Sequence, residues 1–146
     1  TSFYWRDPLP TQAVRLDKII TGTYNVAGNY KVVYQTNLSG GTWRTMYDNL
    51  STMQNYTLDA SPAALGLASN EYVTQFMVSF GVVPSNFRQV EAPRVYCNVV
   101  SWLTGGTQFV NQADVGGVYD GQWIMATSRW VTKVYKPSEP LPRTGY

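Results

Sequence analysis

Residues Tyr30–Asn37 read YKVVYQTN, and they decide the fold class because apolar and polar side chains alternate along them. Positions 30, 32 and 34 share one face, whereas Lys31 and Gln35 lie on the other face with Val33. Successive side chains of a β-strand point to opposite faces, so this period of two predicts a strand with one buried face.

The same alternation recurs in Tyr72–Phe80, where we expect one face to carry Tyr72, Thr74, Phe76, Val78 and Phe80. Six further stretches are predicted as strands: Val14–Thr21, Thr42–Tyr47, Tyr56–Asp59, Arg94–Val100, Thr107–Val115 and Gln122–Tyr135. Turns rich in Gly, Pro and Asn separate them. Short strands with this spacing predict an all-β fold, specifically an antiparallel immunoglobulin-like β-sandwich.

One segment, Ser61–Leu67, has a helical pattern instead of an alternating one. Ser61 is a suitable N-cap, Pro62 suits the first helical position, and Gly66 is a suitable early stop. We therefore expect one short helical turn among the strands.

The chain divides into three parts by composition. Residues 1–13 are predicted to be a lead-in segment whose Phe3, Tyr4 and Trp5 pack onto the body, since three adjacent aromatic side chains are costly to expose. Residues 14–136 form the β-sandwich domain, and residues 137–146 form a proline-rich tail.

The charge and the cysteine count exclude several classes of protein. A formal net charge of +2 is too small and too scattered for a nucleic-acid surface. No stretch reaches the roughly 20 apolar residues that a membrane helix needs. Cys97 is the single cysteine, so no intrachain disulfide can form, and its place in a predicted strand favours a buried, inert thiol.

Catalytic residues are not expected. The chain contains no histidine, which removes the commonest general base near neutral pH and the Ser-His-Asp triad. It has no Cys/His spacing typical of a metal site. Its nine carboxylates fall mostly in turns or at strand ends, where solvation and capping account for them. We therefore predict a protein that is not an enzyme and that has no cofactor and no structural metal.

The tail carries the clearest functional signal, Leu141-Pro142-Arg143-Thr144-Gly145, after the polar spacer Lys136–Pro140. This motif resembles the Leu-Pro-any-Thr-Gly sorting signal of Gram-positive surface proteins that a sortase attaches to the cell wall. The resemblance implies cleavage between Thr144 and Gly145 and transfer of Thr144 to a peptidoglycan amine. Sortase and peptidoglycan are thus the implied partners, and the cell wall is the implied location.

Another stretch, Val90–Pro93, resembles the Glu-containing segment of pilin-type sandwich domains, in which a buried acid helps a lysine and an asparagine form an isopeptide bond. The resemblance implies Lys18 as the amine, Glu91 as the acid, and Asn98 or Asn111 as the acceptor. The predicted last strand, where that asparagine should lie, contains none. We therefore expect no internal covalent link, and we expect Lys18 and Glu91 to be surface charges.

These observations predict a structural or adhesive module of a bacterial surface. The alternative is a glycan-binding module of the same fold, with a stacking platform made by Trp43, Trp102, Trp123, Trp130 and Tyr119. We expect these rings to belong to the core, as aromatic side chains usually do. The alternative requires two or more tryptophans exposed on one concave face.

Overall fold

The computed structural model of the chain describes residues 2–101, 108–119 and 122–133; in the last two ranges, it describes the strands and their register. The fold is all-β, with strands β1 (Ser2–Pro8), β2 (Val14–Ile20), β3 (Thr23–Tyr24), β4 (Asn29–Thr36), β5 (Arg44–Ser51), β6 (Thr57–Asp59), β7 (Val73–Val82), β8 (Gln89–Glu91), β9 (Arg94–Val99), β10 (Gln108–Tyr119) and β11 (Gln122–Lys133), and with helix α1 (Pro62–Leu65). The predicted all-β class is confirmed.

Among the described residues, all strand pairs are antiparallel, and they form three sheets of six, three and two strands. The strand orders are β11-β10-β1-β7-β4-β5, β6-β2-β9 and β3-β8. The core contains side chains from all three, such as Phe76 from the large sheet, Ile19 from β2 and Tyr24 from β3. The arrangement is therefore sandwich-like, with the large sheet as one layer. Immunoglobulin-like connectivity stays a prediction.

The alternation in β4 is confirmed, because Tyr30, Val32 and Tyr34 are all buried. In β7 the expected face is only partly correct: Phe76, Val78 and Phe80 are buried, but Val73 replaces Tyr72 and Thr74 as the next inward residue. The cause is a register shift. Gln35 pairs with Gln75 and Thr36 pairs with Val73, so Thr74 is one extra residue in β7. A bulge of this kind reverses the alternation beyond it.

A strand lies within the predicted lead-in segment of residues 1–13. Residues Ser2–Pro8 form β1, which lies in the interior of the large sheet between β10 and β7. Trp5 is buried edge-on against Phe76, with ring centroids 5.5 Å apart, so the expected packing of this aromatic onto the body is present. The strand was not predicted because one of its buried positions is the charged Asp7, whereas the alternating pattern requires apolar residues there.

The short helix was predicted correctly. The backbone N–H of Ala64 donates to the Ser61 hydroxyl at 3.3 Å, which makes Ser61 the N-cap, and Pro62 is the first helical residue. Gly66 ends the helix in the left-handed conformation, with φ of 64°. A residue with a side chain disfavours that conformation, so glycine is the natural stop.

An aromatic cluster fills one end of the core. Tyr24 contacts Phe80 with ring centroids 4.6 Å apart and stacks on Phe87 at 5.4 Å. The indole N–H of Trp5 donates to the Tyr24 hydroxyl at 3.2 Å, and that hydroxyl donates to the carbonyl oxygen of Thr21. Burial raises the pKa of Tyr24 to about 12. The phenol therefore stays neutral and ties β1 to the β2–β3 connection.

Candidate functional site

The predicted sorting motif lies outside the described residues. The last described strand, β11, ends at Lys133, and Leu141 follows eight positions later in the sequence. β11 is an edge strand of the large sheet, paired with β10 from Gln122 to Lys133. The chain therefore leaves the described fold from the edge of a sheet.

Of the four tryptophans in the predicted stacking platform, only Trp43 has a described environment. It lies directly before β5 and is 36% exposed. Trp123 and Trp130 are placed on β11, in register with Val118 and Asn111, and Trp102 lies outside the described residues. Tyr119 is the last residue of β10. The requirement for two exposed tryptophans on one face thus stays a prediction.

The residues implied for an isopeptide bond are spread over three sheets, although Lys18 and Asn98 lie on neighbouring strands of the same one. Lys18 is on β2, with its Nζ atom 4.8 Å from the centroid of the Tyr96 ring. Glu91 is an exposed residue of β8, where its carboxylate accepts hydrogen bonds from Thr23 and Asn55 at 3.3 Å each. The two candidate acceptors are placed on β9, where Asn98 is exposed, and on β10, where Asn111 pairs with Trp130.

Cys97 is half-buried on β9 and contacts the core. Burial raises the pKa of its thiol to about 12, with smaller contributions from the carboxylates of Asp7 and Asp17. The thiol is therefore protonated at neutral pH, and a protonated thiol is a poor nucleophile.

The outer face of the large sheet, turned away from the core, carries two adjacent rows of paired residues. In one row Lys31 pairs with Ser79, Ser79 with Tyr4, and Tyr4 with Gly116. In the neighbouring row Val33 pairs with Met77, Met77 with Arg6, and Arg6 with Asp114. Polar, aromatic and apolar residues from β4, β7 and β1 therefore meet on this face, where Val33 is itself buried.

A groove of about 320 Å³ runs over this face, and we call it the Trp43 groove. Its lining includes Tyr4, Arg6, Trp43, Met77, Ser79 and Gly81. A neighbouring groove of about 270 Å³ also contacts Ser79 and Gly81 and is bounded by Lys31, Asp48 and Asn49. Because they share two lining residues, the two grooves adjoin each other.

Another cleft, of about 340 Å³, lies between α1 and the start of β7, but its charged groups serve the fold. The Glu71 carboxylate accepts hydrogen bonds from the Thr36 hydroxyl at 2.6 Å, from Arg44 at 2.8 Å and from the Ala68 N–H at 3.2 Å. The first of these is the main reason that the pKa of Glu71 is lowered. The Arg15 guanidinium stacks on the Tyr72 ring at 4.1 Å. These contacts tie the α1–β7 loop to the sheets.

Within residues 2–101 and the described parts of β10 and β11, no three side chains of His, Cys, Asp or Glu are grouped as metal ligands. No described helix is long and apolar enough to cross a membrane.

Comparison of the chain with protein-family models, with curated proteins and with solved structures found no match. The class that the structure itself defines is an all-β, antiparallel, sandwich-like domain with a polar and aromatic groove on its large sheet.

Trp43 was predicted from the sequence as a candidate binding residue, but the residues that surround it were not. Tyr4 and Arg6 belong to the unpredicted β1, and Met77 and Ser79 lie on the outward positions of β7. The alternation of Tyr4 and Arg6 with Phe3 and Trp5 was the available signal. The pairing of β1 with β7 joins residues as far apart in sequence as Ser2 and Val82, and no local pattern encodes that pairing.

Proposed function

We propose that the chain is a non-enzymatic structural or adhesive module of a Gram-positive cell surface, attached covalently to peptidoglycan by a sortase. The observation that carries the proposal is Leu141-Pro142-Arg143-Thr144-Gly145. Pro142 restricts the backbone to an extended or turned shape that suits an enzyme groove. Gly145 presents no side chain beside the Thr144 carbonyl.

The transfer follows from the chemistry of the motif. The sortase thiolate attacks the Thr144 carbonyl carbon, the Thr144–Gly145 bond breaks, and the released amine of Gly145 takes a proton. An amine of the cell wall then attacks the Thr144 thioester and releases the sortase thiol. This chain is the substrate of the reaction, and the nucleophile belongs to the sortase.

The length of the spacer is compatible with a motif that a sortase can reach. Seven residues lie between Lys133 and Leu141, which is eight positions further along the chain, and they include Pro137 and Pro140. At about 3.4 Å per residue, Leu141 can lie as far as about 27 Å from the end of β11. That distance lets a sortase bind the motif without contacting the sheet.

The test is incubation of the chain with a housekeeping-class sortase and an oligoglycine amine, followed by mass spectrometry. The expected product ends at Thr144 and carries the oligoglycine, and the dipeptide Gly145-Tyr146 is released. Thr144→Ala should abolish the product.

A matched control changes Thr107, a threonine next to β10 and remote in sequence from the motif, to Ala, which should leave the yield unchanged. If the wild-type chain stays intact while a reference peptide with the same motif reacts in the same tube, the proposal of sortase attachment is wrong.

A further inference from the structure

We propose that the Trp43 groove and its extension past Lys31, Asp48 and Asn49 bind a short oligosaccharide, with one sugar ring stacked on the Trp43 indole. The proposal does not depend on attachment by sortase, because it concerns a different surface of the chain. It defines a specific site for the glycan-binding alternative.

Trp43 is the anchor of the proposed site. Its side chain is 36% exposed at a groove that also contains Tyr4 and Met77, whereas the described Trp5 is buried in the core. A large aromatic ring half-exposed at a concavity offers a flat apolar surface beside polar neighbours. Sugar rings match such a surface, since their C–H faces are apolar and their edges carry hydroxyl groups.

The strands of the large sheet set the positions of the residues that carry the polar groups of the groove. Ser79 lies on β7, flanked by Lys31 of β4 and Tyr4 of β1 in one row. Asn49 has a left-handed backbone with φ of 54°, and its N–H donates to Asp48 Oδ1 at 2.7 Å. The backbone that carries these groups is therefore already ordered and does not have to be ordered on binding, which favours a polar ligand.

The length and charge of the surface indicate which ligand fits. It extends from β5 to β1, which is about 14 Å at the usual spacing of neighbouring strands. Lys31 and Asp48 bring opposite charges to the same part of the groove, so a strongly ionic ligand gains little there. Sugar hydroxyls both donate and accept hydrogen bonds, so they can pair with ammonium, carboxylate, amide and hydroxyl groups alike.

The first experiment screens the 146-residue chain against an array of defined oligosaccharides and measures the affinity for each hit by calorimetry. We expect Trp43→Ala to weaken binding at least about tenfold, since a stacked tryptophan is a typical binding hot spot. The matched control is Tyr96→Ala, an aromatic residue with a similar exposure of 39% that lies on β9, in a different sheet. That variant should bind as the wild type does, and circular dichroism should show both variants folded.

The second experiment tests the extension of the groove. Wild-type affinity should rise with the number of sugar rings, and Asn49→Gly should lose this increment while keeping its affinity for the shortest ligand. Glycine accepts the positive φ at this position, so the change removes the amide without straining the backbone. Absence of any glycan hit, equal losses in the Trp43 and Tyr96 variants, or binding of peptides in place of glycans would each overturn the proposal.

Discussion

The ring of Tyr4 lies against the backbone of Gly116, its register partner across the β1–β10 pair. A Cβ atom at position 116 would lie 2.6 Å from the Tyr4 hydroxyl oxygen and 2.8 Å from the ring carbon that bears it. An aromatic side chain laid over a cross-strand glycine covers the gap that the missing side chain leaves in the sheet. The same ring lines the Trp43 groove.

Gly116→Ala should therefore destabilise the protein by about 1 kcal/mol, since the added methyl group overpacks the site and the Tyr4 ring has to move. Urea unfolding followed by tryptophan fluorescence measures the change. Gly28→Ala is the control, because a Cβ at that position meets nothing within 4 Å. In a Tyr4→Ala background the cost of Gly116→Ala should largely vanish, and an unchanged cost would contradict the contact.

Gly22→Ala should be much more damaging, by about 3 kcal/mol or more, because two penalties add at one position. Its φ is +72°, and a Cβ there would lie 2.2 Å from the carbonyl oxygen of Glu91, which belongs to a backbone and yields little. Gly81→Ala separates the two penalties: its φ is +69°, but its Cβ would meet nothing within 4 Å. Equal losses for the two variants in thermal unfolding would show that the clash is unimportant.

Stability should fall in acid partly because of Glu71. Hydrogen bonds from Thr36 and the Ala68 N–H, together with Arg44, hold the pKa of Glu71 below its ordinary value of 4.5. A group whose pKa is lowered by folding stabilises the native state above its ordinary pKa and loses that contribution as the pH falls through its folded value. Unfolding free energy should thus drop below about pH 4.5 in the wild type.

Glu71→Gln should lower stability at pH 7 and flatten the decline in acid. The flattening is partial, because the pKa of Asp59 is also lowered, chiefly by a hydrogen bond from the Ser61 backbone. A slope in Glu71→Gln identical to that of the wild type would exclude Glu71 as a source of the acid sensitivity.

A further prediction concerns the hydrophobic core, in which Phe76 is completely buried and packs edge-on against Trp5. Phe76→Ala should cost about 3–5 kcal/mol, from lost burial and from the cavity that remains. Lys18→Ala should reduce the free energy of unfolding far less. The aromatic contact described for Lys18 is that of its Nζ atom with the Tyr96 ring, whose centroid is 4.8 Å away. Chemical denaturation measures both. A larger loss at Lys18, or an intact mass below that of the sequence, would reveal a covalent role for Lys18.

Local patterns were sufficient for most of the elements and insufficient for their assembly. The alternation of Tyr30, Val32 and Tyr34 predicted β4 and its buried face, and Ser61, Pro62 and Gly66 predicted α1, because these signals depend on near neighbours. The bulge at Thr74 is set by pairing with β4, which the sequence of β7 alone does not contain. β3 and β8 have two and three residues, too few to display a period.

For the candidate site, too, single residues could be predicted from the sequence, but their assembly could not. Trp43 was recognisable by residue type, whereas its neighbours depend on β1 inserting between β7 and β10. The buried Asp7 interrupts the apolar alternation that would have predicted β1. The sorting motif needs no fold to be recognised, since its meaning is carried by consecutive residues.

The placement of β1 and β11 has a mechanical consequence. Both strands run antiparallel to β10, so they are parallel to each other. Ser2 and Trp123 both pair with Val118, so they lie at the same level of the sheet, and Lys133 is ten residues further along β11. That separation is about 34 Å along the strand direction. A force pulling Ser2 and Lys133 apart would shear the β1–β10 and β10–β11 ladders, loading many hydrogen bonds at once. Pulling on Ser2 and Val118, at one end of the sheet, would instead unzip β1 from β10 pair by pair. In single-molecule force spectroscopy the first geometry should rupture at the higher force, and equal forces would refute a mechanical role for this arrangement.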